Sequence, residues 1–347
     1  MNREIKIYCH LVLLSTLVLL FSCTGPEAPT DIPEISSPLP DNNLLEKISF
    51  SIPEKDVLGP YAPFPLVTNS SFVNVAEVGY PDNHLTALIS LGPDELRAYP
   101  NAFIGLYEVI NNEFEDKKYA LTHCPLTGST VCWDREIDGE TMTIKASGYL
   151  YHDNIMPTDI ETGSIWSQML MRGVSGKHDF KSHGTYNVVE TDWKTVKTKF
   201  PNASIYNEII EDAGPGINVE TEPTNRDFYR YGILSGIIKN TVHIFNYDLF
   251  DKEGLTLYST LITGKRVLVV GNEDLNFISS YFIDNATEYS QDTTNSFNFK
   301  DNKGNTYNAM GLIIDGPDKN LQLDSPKAYT AAWVAWQDFF EDFVIYE

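Results

Sequence analysis

The run Lys118-Tyr-Ala-Leu-Thr-His-Cys-Pro-Leu-Thr-Gly-Ser-Thr-Val-Cys-Trp-Asp-Arg135 reads as two strands joined by a bend. Lys118 to His123 is strand-like, Cys124-Pro-Leu-Thr-Gly128 has turn chemistry, and Ser129 to Arg135 is strand-like again, with Val131 and Trp133 on one face. Asp138-Gly139 marks a tight hairpin before Glu140 to Ala146, which gives a three-stranded antiparallel meander with Cys124 at its first bend. If His123 pairs with Ser129, Cys132 lies roughly 13 Å beyond the bend, at about 3.3 Å per residue. A disulfide needs Cα atoms within about 7 Å, so Cys124 and Cys132 are expected to stay unbridged.

Outward from the meander, short aromatic patterns recur. Gly163-Ser-Ile-Trp-Ser-Gln-Met169 is echoed by Gly304-Asn-Thr-Tyr-Asn-Ala-Met310, and Tyr186, Trp193 and Ile205-Tyr206 by Tyr329, Trp336 and Ile345-Tyr346. Upstream, Gly92-Pro-Asp-Glu-Leu96 resembles Gly271-Asn-Glu-Asp-Leu275, at a longer offset. Two unequal internal repeats account for this, packed as one compact body. The second is expected to lack the cysteine ribbon, and any special site to lie in the first, between about Arg97 and Gln168. The expected fold class is mainly β with accessory helices (α+β), the helices carrying Trp193 in the first repeat and Trp333 with Trp336 in the second.

At the N-terminus, Arg3 and Lys6 precede an apolar run from Ile7 to Phe21, the length of a signal peptide and short of the roughly twenty residues of a membrane span. Leu20-Phe21-Ser22-Cys23 then has the form of a bacterial lipoprotein signal, with Cys23 the lipidated first residue. Residues 24–43 carry Pro26, Pro29, Pro33, Pro38 and Pro40 with too little apolar surface to fold. The expected organisation is a signal peptide at 1–22, a tether at 23–45, a first repeat at 46–210 and a second at 211–347. The expected place is the cell envelope, lipid-anchored, at the outer membrane on its periplasmic or surface face, with the outer or cytoplasmic membrane as partner. Cys9 leaves with the signal.

The whole chain has 347 residues, 42% hydrophobic and 21% charged, which suits a globular protein. Lys plus Arg number 25 against 48 Asp plus Glu, and a formal charge of -23 repels a phosphate backbone, so no nucleic-acid partner is expected.

Arg97-Ala-Tyr-Pro100, Glu108-Val-Ile-Asn-Asn112, Thr122-His-Cys-Pro-Leu-Thr-Gly128, Trp133-Asp-Arg135, Ser147-Gly148, Asp159 and Glu161-Thr-Gly-Ser-Ile-Trp-Ser-Gln168 resemble, in order, the domain-of-unknown-function 3179 family. The resemblance runs from about Ala87 to the C-terminus and includes the closing Ala332-Trp-Val-Ala-Trp336 segment. It implies an architecture and a place for a site, not an activity. That family usually has a second Cys where this chain has Thr127, and a His where it has Tyr107. A Cys-x-x-Cys couple therefore cannot form in this bend, and one ligand beside Glu108 is missing.

Three functional readings stand. In the first, Cys124 with His123, His152, Met156 or Met169 holds a soft metal such as copper. In the second, Cys124 is a nucleophile, or Glu108, Asp134 and Asp159 are acid–base groups, with Arg97 or Arg135 holding an anionic substrate. In the third, Trp133, Trp166, Tyr149 and Tyr151 line an apolar cleft in which Gln168 and Asn154 orient a small-molecule ligand. Against each stands a plain structural role: Cys124 as a small core residue, the arginines in ion pairs with Asp134, Asp159 or Glu161, the aromatics in the core. Replacing Cys124 with Ser separates binding, which tolerates it, from both chemical readings.

Overall fold

Leu85-Thr-Ala-Leu-Ile-Ser-Leu-Gly92 is apolar on both faces, so it belongs in the middle of a covered sheet. It forms β1 and turns back as β2, Glu95–Pro100. The computed structural model describes residues 48–93, 95–207, 226–236 and 241–347, all within one compact unit, Lys47–Glu347. Cys9, Cys23, the signal segment, the tether and the 210/211 boundary lie outside the described residues.

After β2 comes the short helix α1, Asn101–Gly105, and then the expected meander. Its strands are β3 (Val109–Phe114), β4 (Lys117–Cys124) and β5 (Ser129–Asp134). The register puts Cys124 opposite Ser129 and His123 opposite Thr130, so the bend holds the four residues 125–128. Cys124 and Cys132 are both free and buried. They sit on opposite faces of the β4–β5 ribbon, because Cys124 pairs with Ser129 and Cys132 lies an odd number of positions beyond it. Asp138 and Gly139 both have positive φ, 54° and 82°, which makes the expected two-residue turn. The third strand is a correction: Glu140–Thr141 pairs only with Glu136–Ile137, and the chain then leaves for another sheet. That sheet is a meander of β6 (Ile144–Tyr151), β7 (Asn154–Asp159), β8 (Ile165–Ser167) and β9 (Arg172–Ser175), with Val57–Leu58 added as a fifth strand beside β6. The first half ends in β10 (Val188–Asp192), α2 (Trp193–Lys199) and β11 (Ser204–Tyr206). Asp192 caps α2 by accepting from Thr195 N at 2.7 Å.

The second half runs through β12 (Tyr229–Leu234), β13 (Thr241–Phe245), β14 (Thr256–Ile262), β15 (Lys265–Asn272) and β16 (Phe277–Ile283). It continues with β17 (Tyr289–Gln291), β18 (Asn298–Asp301), β19 (Thr306–Asn308) and β20 (Ile313–Asp315), then β21 (Ala328–Ala332), α3 (Trp333–Phe339) and β22 (Asp342–Tyr346).

The two halves share strand order over most of their sheets. One sheet runs β10-β1-β2-β11 and is extended past β11 by the antiparallel segment Phe72–Asn74; its counterpart is β21-β12-β13-β22, and within these two sets of four only the last pair is parallel. The meander β3-β4-β5 corresponds to β14-β15-β16, and β6 to β9 correspond to β17 to β20. By this order the Cys124 bend corresponds to the bend after Asn272. The expected match of Gly92–Leu96 with Gly271–Leu275 therefore fails, because it pairs the β1–β2 turn with the β15–β16 turn of a different sheet. So does the inference that only the first half has such a ribbon. Local sequence similarity is blind to which sheet a hairpin joins.

The halves share their cores. Trp193, Val196, Leu88 and Val189 pack with Leu268, Val270, Phe277 and Tyr281, while Val131, Trp133 and Met169 pack with Tyr329, Ala335 and Trp336. Burying each such large side chain contributes about 1.5–3 kcal/mol. Among the described residues no helix is long and apolar enough to cross a membrane.

Candidate functional site

Alternation along β4 sends Thr122 and Cys124 to one face and His123 to the other. On the Cys124 face a buried polar network closes the bend. Gln168 Nε2 donates to Thr122 O at 3.0 Å, Thr122 Oγ1 at 3.1 Å and Ser129 O at 3.2 Å, and Trp133 Nε1 donates to Thr122 Oγ1 at 2.9 Å. Asn154 Nδ2 lies 2.8 Å from Thr127 Oγ1, 3.0 Å from Ser129 Oγ and 2.9 Å from Gln168 Oε1. Gln168 and Asn154 are thus brought beside Cys124, as the binding reading expected, but as a filled interior. Only Asn154 Oδ1 is left buried without a hydrogen-bond partner in this group.

Cys124 Sγ donates to Asp153 O at 3.4 Å. Burial pushes its pKa up, against opposing hydrogen bonds from Thr127 and nearby amides. The thiol therefore stays protonated, which weakens it as a nucleophile and as a metal thiolate. Thr127 occupies the family's second cysteine position with a hydroxyl that also reaches Ser129 Oγ at 2.9 Å. The substitution replaces a thiol by a member of the polar network.

On the opposite face, His123 Nδ1 lies 2.8 Å from Thr130 Oγ1, whose hydroxyl proton goes to Glu190 Oε1. With that proton committed, the hydroxyl accepts from Nδ1–H, which fixes the imidazole tautomer. Burial holds His123 neutral, its pKa lowered to about 3. Asn101 Nδ2 reaches the same Glu190 oxygen at 3.4 Å, and Asn101 Oδ1 is buried with no hydrogen-bond partner.

Glu108 joins this face through the backbone: its carbonyl accepts from His123 N at 2.8 Å and its amide donates to Ile104 O at 2.8 Å. The residue has φ 59°, a left-handed conformation that costs a non-glycine residue about 1–2 kcal/mol. Its half-buried carboxyl loses hydration, and the pKa is pushed up to about 7. Tyr107, where the family usually has His, is fully buried in the core instead.

A third group surrounds Trp166. Its Nε1 donates to Asp159 Oδ2 at 3.1 Å, while Asp159 Oδ1 accepts from Thr162 N and Oγ1 at 2.7 Å. His178 stacks on the Trp166 ring at 5.4 Å and His183 meets it edge-on at 3.8 Å. Both His178 ring nitrogens and His183 Nε2 are buried without hydrogen-bond partners, and burial lowers the His183 pKa to about 4.

The remaining expected residues are dispersed. Arg97 binds Glu95 Oε1 at 2.8 Å, Tyr119 OH at 2.6 Å and Glu113 O at 3.1 Å, so its carboxylate partner is neither Asp134, Asp159 nor Glu161. Arg135 spends its guanidinium on Met142 O at 2.6 Å and Asn112 O at 3.4 Å, and no ion pair forms there among the described residues. Both arginines fasten strands together. Asp134 stands at the far end of β5, about 16 Å along the strand from Ser129. It caps the backbone N of Glu136 at 2.9 Å. His152 and Asp153 make the positive-φ turn between β6 and β7, with His152 against Tyr151 and Phe339. Met156 and Met169 are core residues, and Tyr149 and Tyr151 pack on a satellite cluster. The donors named for a soft metal thus diverge, and among the described residues no group of three or more His, Cys, Asp and Glu side chains is placed to hold a metal ion.

Glu190, Thr130, Asn101, His178 and His183 were not anticipated. Glu190 had a readable signal, a carboxylate inside the apolar strand Val188-Val-Glu-Thr-Asp192. The histidines had none beyond their scarcity, seven in the chain.

No curated protein and no solved structure matches the chain. A family described as protein of unknown function (DUF3179) matches residues 61–343, which takes in both halves, the Cys124 bend and every polar group described above. The chain belongs to that DUF3179 family.

Proposed function

We propose that the protein is a lipoprotein of the cell envelope, anchored through Cys23, whose first half binds a small polar molecule beside the Cys124 bend and exchanges a proton with it through Glu108. The observation that carries the reading is Glu108 itself: a non-glycine residue in a left-handed conformation, with its carboxyl poised near neutrality by desolvation. Strained backbone and a pKa matched to ambient pH are features that concentrate at working sites. The strand that carries His123 is tied to Glu108 through the backbone, and Asn101, with its unpartnered amide oxygen, and neutral His123 offer polar groups for orientation in the adjoining cluster around Thr130 and Glu190. On this reading the Cys124 network is the rigid wall behind the site.

Thermal-shift screening of full-length protein against small carboxylic acids, amides and sugars at pH 6 and pH 8 tests it. Ligands that stabilise the wild type in a pH-dependent way, and lose that dependence in Glu108→Gln, support the reading; identical responses of both proteins at both pH values sink it. Anchoring is tested by labelled palmitate, which Cys23→Ala fails to take up while leaving the membrane fraction.

The soft-metal and nucleophile readings centred on Cys124, with copper as the metal, require removal of a proton that burial retains. Metal content of the purified protein with and without Cys124→Ser separates them from the Glu108 reading. Equal metal content in both removes Cys124 as a ligand.

A further inference from the structure

Each half closes its meander bend with the other half's helix. The Thr127 carbonyl accepts from Ala332 N at 2.9 Å, one residue before α3. At the corresponding bend, the Leu275 carbonyl accepts from Thr191 Oγ1 and from Thr195 Oγ1 (3.3 Å) at the start of α2. The first bend is filled by Asn154 and Gln168. The second opens into a cavity of about 360 Å³ whose walls include Asn272, Ser296 and Phe297 of the second half, Lys252 beside them, and Lys194 and Lys199 of α2.

Three lysines around one concavity are unexpected in a chain with 25 cationic side chains against 48 carboxylates. Lys252 shares its charge with Glu273 at 3.4 Å and Lys194 feels the Asp82 carboxylate that Lys197 pairs, but neither Lys194 nor Lys199 forms an ion pair of its own among the described residues. Lys199 Nζ lies 5.2 Å from the centre of the Phe297 ring. Among the described residues Asp274 is the one carboxylate on the cavity wall. Lys199 also borders a second hollow of about 270 Å³, where Leu96, Phe200, Met310 and Leu312 lie beside polar Ser90, Asn202 and Asn308 and the Glu95 carboxylate that Arg97 pairs. Positive charge therefore sits beside an aromatic ring and a hollow with one apolar side, an arrangement that matches a charged head joined to an apolar body.

We propose that this junction binds a small organic anion, a carboxylate or a phosphate monoester with an apolar body, its head held by Lys194, Lys199 and Lys252 and its body laid against Phe297 and the groove beyond Lys199. Ammonium groups act as point charges and take either head group. The net charge of -23 depletes anions around the molecule as a whole, so only locally uncompensated cations can retain one.

Calorimetric titration of detergent-solubilised full-length protein with phenyl phosphate, benzoate and inorganic phosphate tests the assignment. The expected result is one site per chain for phenyl phosphate or benzoate, with inorganic phosphate weaker than phenyl phosphate. Whichever aromatic anion binds identifies the head group. Lys194→Gln with Lys199→Gln weakens binding about a hundredfold, about tenfold for each ammonium group withdrawn from the anion. Lys265→Gln, at the opposite end of β15, leaves it unchanged, as does Glu108→Gln, which keeps this test separate from the Glu108 reading. Absence of binding to all three anions, equal loss in Lys265→Gln, no loss in the double variant, or inorganic phosphate binding as tightly as phenyl phosphate overturns the proposal. Circular dichroism of each variant verifies that these exposed substitutions leave the fold intact.

Discussion

The bends at 125–128 and 273–276 stand at matching places in the two halves and meet matching elements of the opposite half, yet their interiors differ. The first is filled: Gln168, Asn154, Ser129, Thr127 and Thr122 spend nearly all their donors and acceptors on one another. Within its own half the second is braced by one buried amide, beside the Thr191 and Thr195 hydroxyls that reach it from the first half. Asn272 Nδ2 donates to Lys252 O at 3.0 Å and Gly254 O at 2.6 Å, and its Oδ1 accepts from Leu275 N at 2.9 Å. Beyond that brace lies open space. One strand order thus supports either a rigid wall or a vestibule, and the choice rests with a few polar side chains contributed by the neighbouring meander.

The largest effect that can break the comparison is at the last residue of each bend, where both chain segments take positive φ, 56° at Gly128 and 46° at Asn276. A Cβ on Gly128 would lie 2.2 Å from a ring carbon of Tyr229. Gly128→Ala combines this overlap with left-handed strain and is expected to cost about 3 kcal/mol, against about 1 kcal/mol for Asn276→Ala, which meets the strain alone. Guanidinium unfolding of the two variants measures the difference; equal costs would show that the halves do not close on each other at Gly128.

Next comes the network. Gln168→Leu leaves buried Thr122, Ser129 and Asn154 short of partners and is expected to cost about 2–3 kcal/mol. Asn272→Leu costs less, about 1–2 kcal/mol, because the groups it abandons border a cavity open to solvent. Unfolding midpoints in the reverse order would contradict a filled first bend.

Glu108 sharpens the contrast through pH. Its folded-state pKa is raised from 4.5 to about 7, so its favourable contribution is fully present below about pH 4.5 and is lost as pH rises through about 7. His123 and His183 act in the opposite sense. Their folded-state values fall from 6.5 to about 3 and about 4, so the stability they lend is present above pH 6.5 and is lost as pH falls toward those values. Glu108→Gln isolates the first effect: it should stabilise the protein at pH 8 by about 1–2 kcal/mol after solvent screening and leave pH 4.5 nearly unchanged. A variant whose stability parallels the wild type from pH 4.5 to 8 would falsify the raised carboxyl.

The smallest effect concerns the thiols. Burial raises the pKa of Cys124, and that of Cys132 well above the ordinary range, so neither should react with a thiol reagent at pH 8 until the chain unfolds. Cys124→Ser is expected to cost under about 1 kcal/mol, since the hydroxyl can keep the bond to the Asp153 carbonyl. Rapid labelling of Cys124 in the folded protein would reopen the chemical readings.

Several of these features were legible along the chain. Asp138-Gly139 specified its turn, Pro125 and Gly128 the bend, and Trp193, Trp333 and Trp336 the helices, because turn chemistry and apolar spacing act over a few residues. The bend also excluded a disulfide, even though the expected register was one residue out, since several strand positions separate the cysteines' places under either pairing. The candidate site was only partly visible: Glu108, Gln168 and Asn154 stood out by residue type, but Arg97 and Arg135 were misjudged as free or as partners of distant carboxylates.

By itself the sequence determined a mainly β chain with two aromatic helices, a hairpin-rich first half and a strongly acidic surface, all of which follow from local propensity and from counting charges. Only the tertiary structure decided that each half closes on the other's helix, that Cys124 is walled in beside Thr127, and that Lys194 and Lys199 of α2 face a cavity whose other walls lie in the second half. The physical reason is range. Turns and strand faces are set by neighbours within a few positions, whereas desolvation, orphaned amides and the meeting of charges depend on which distant surfaces are pressed together, and a one-dimensional pattern does not specify that choice.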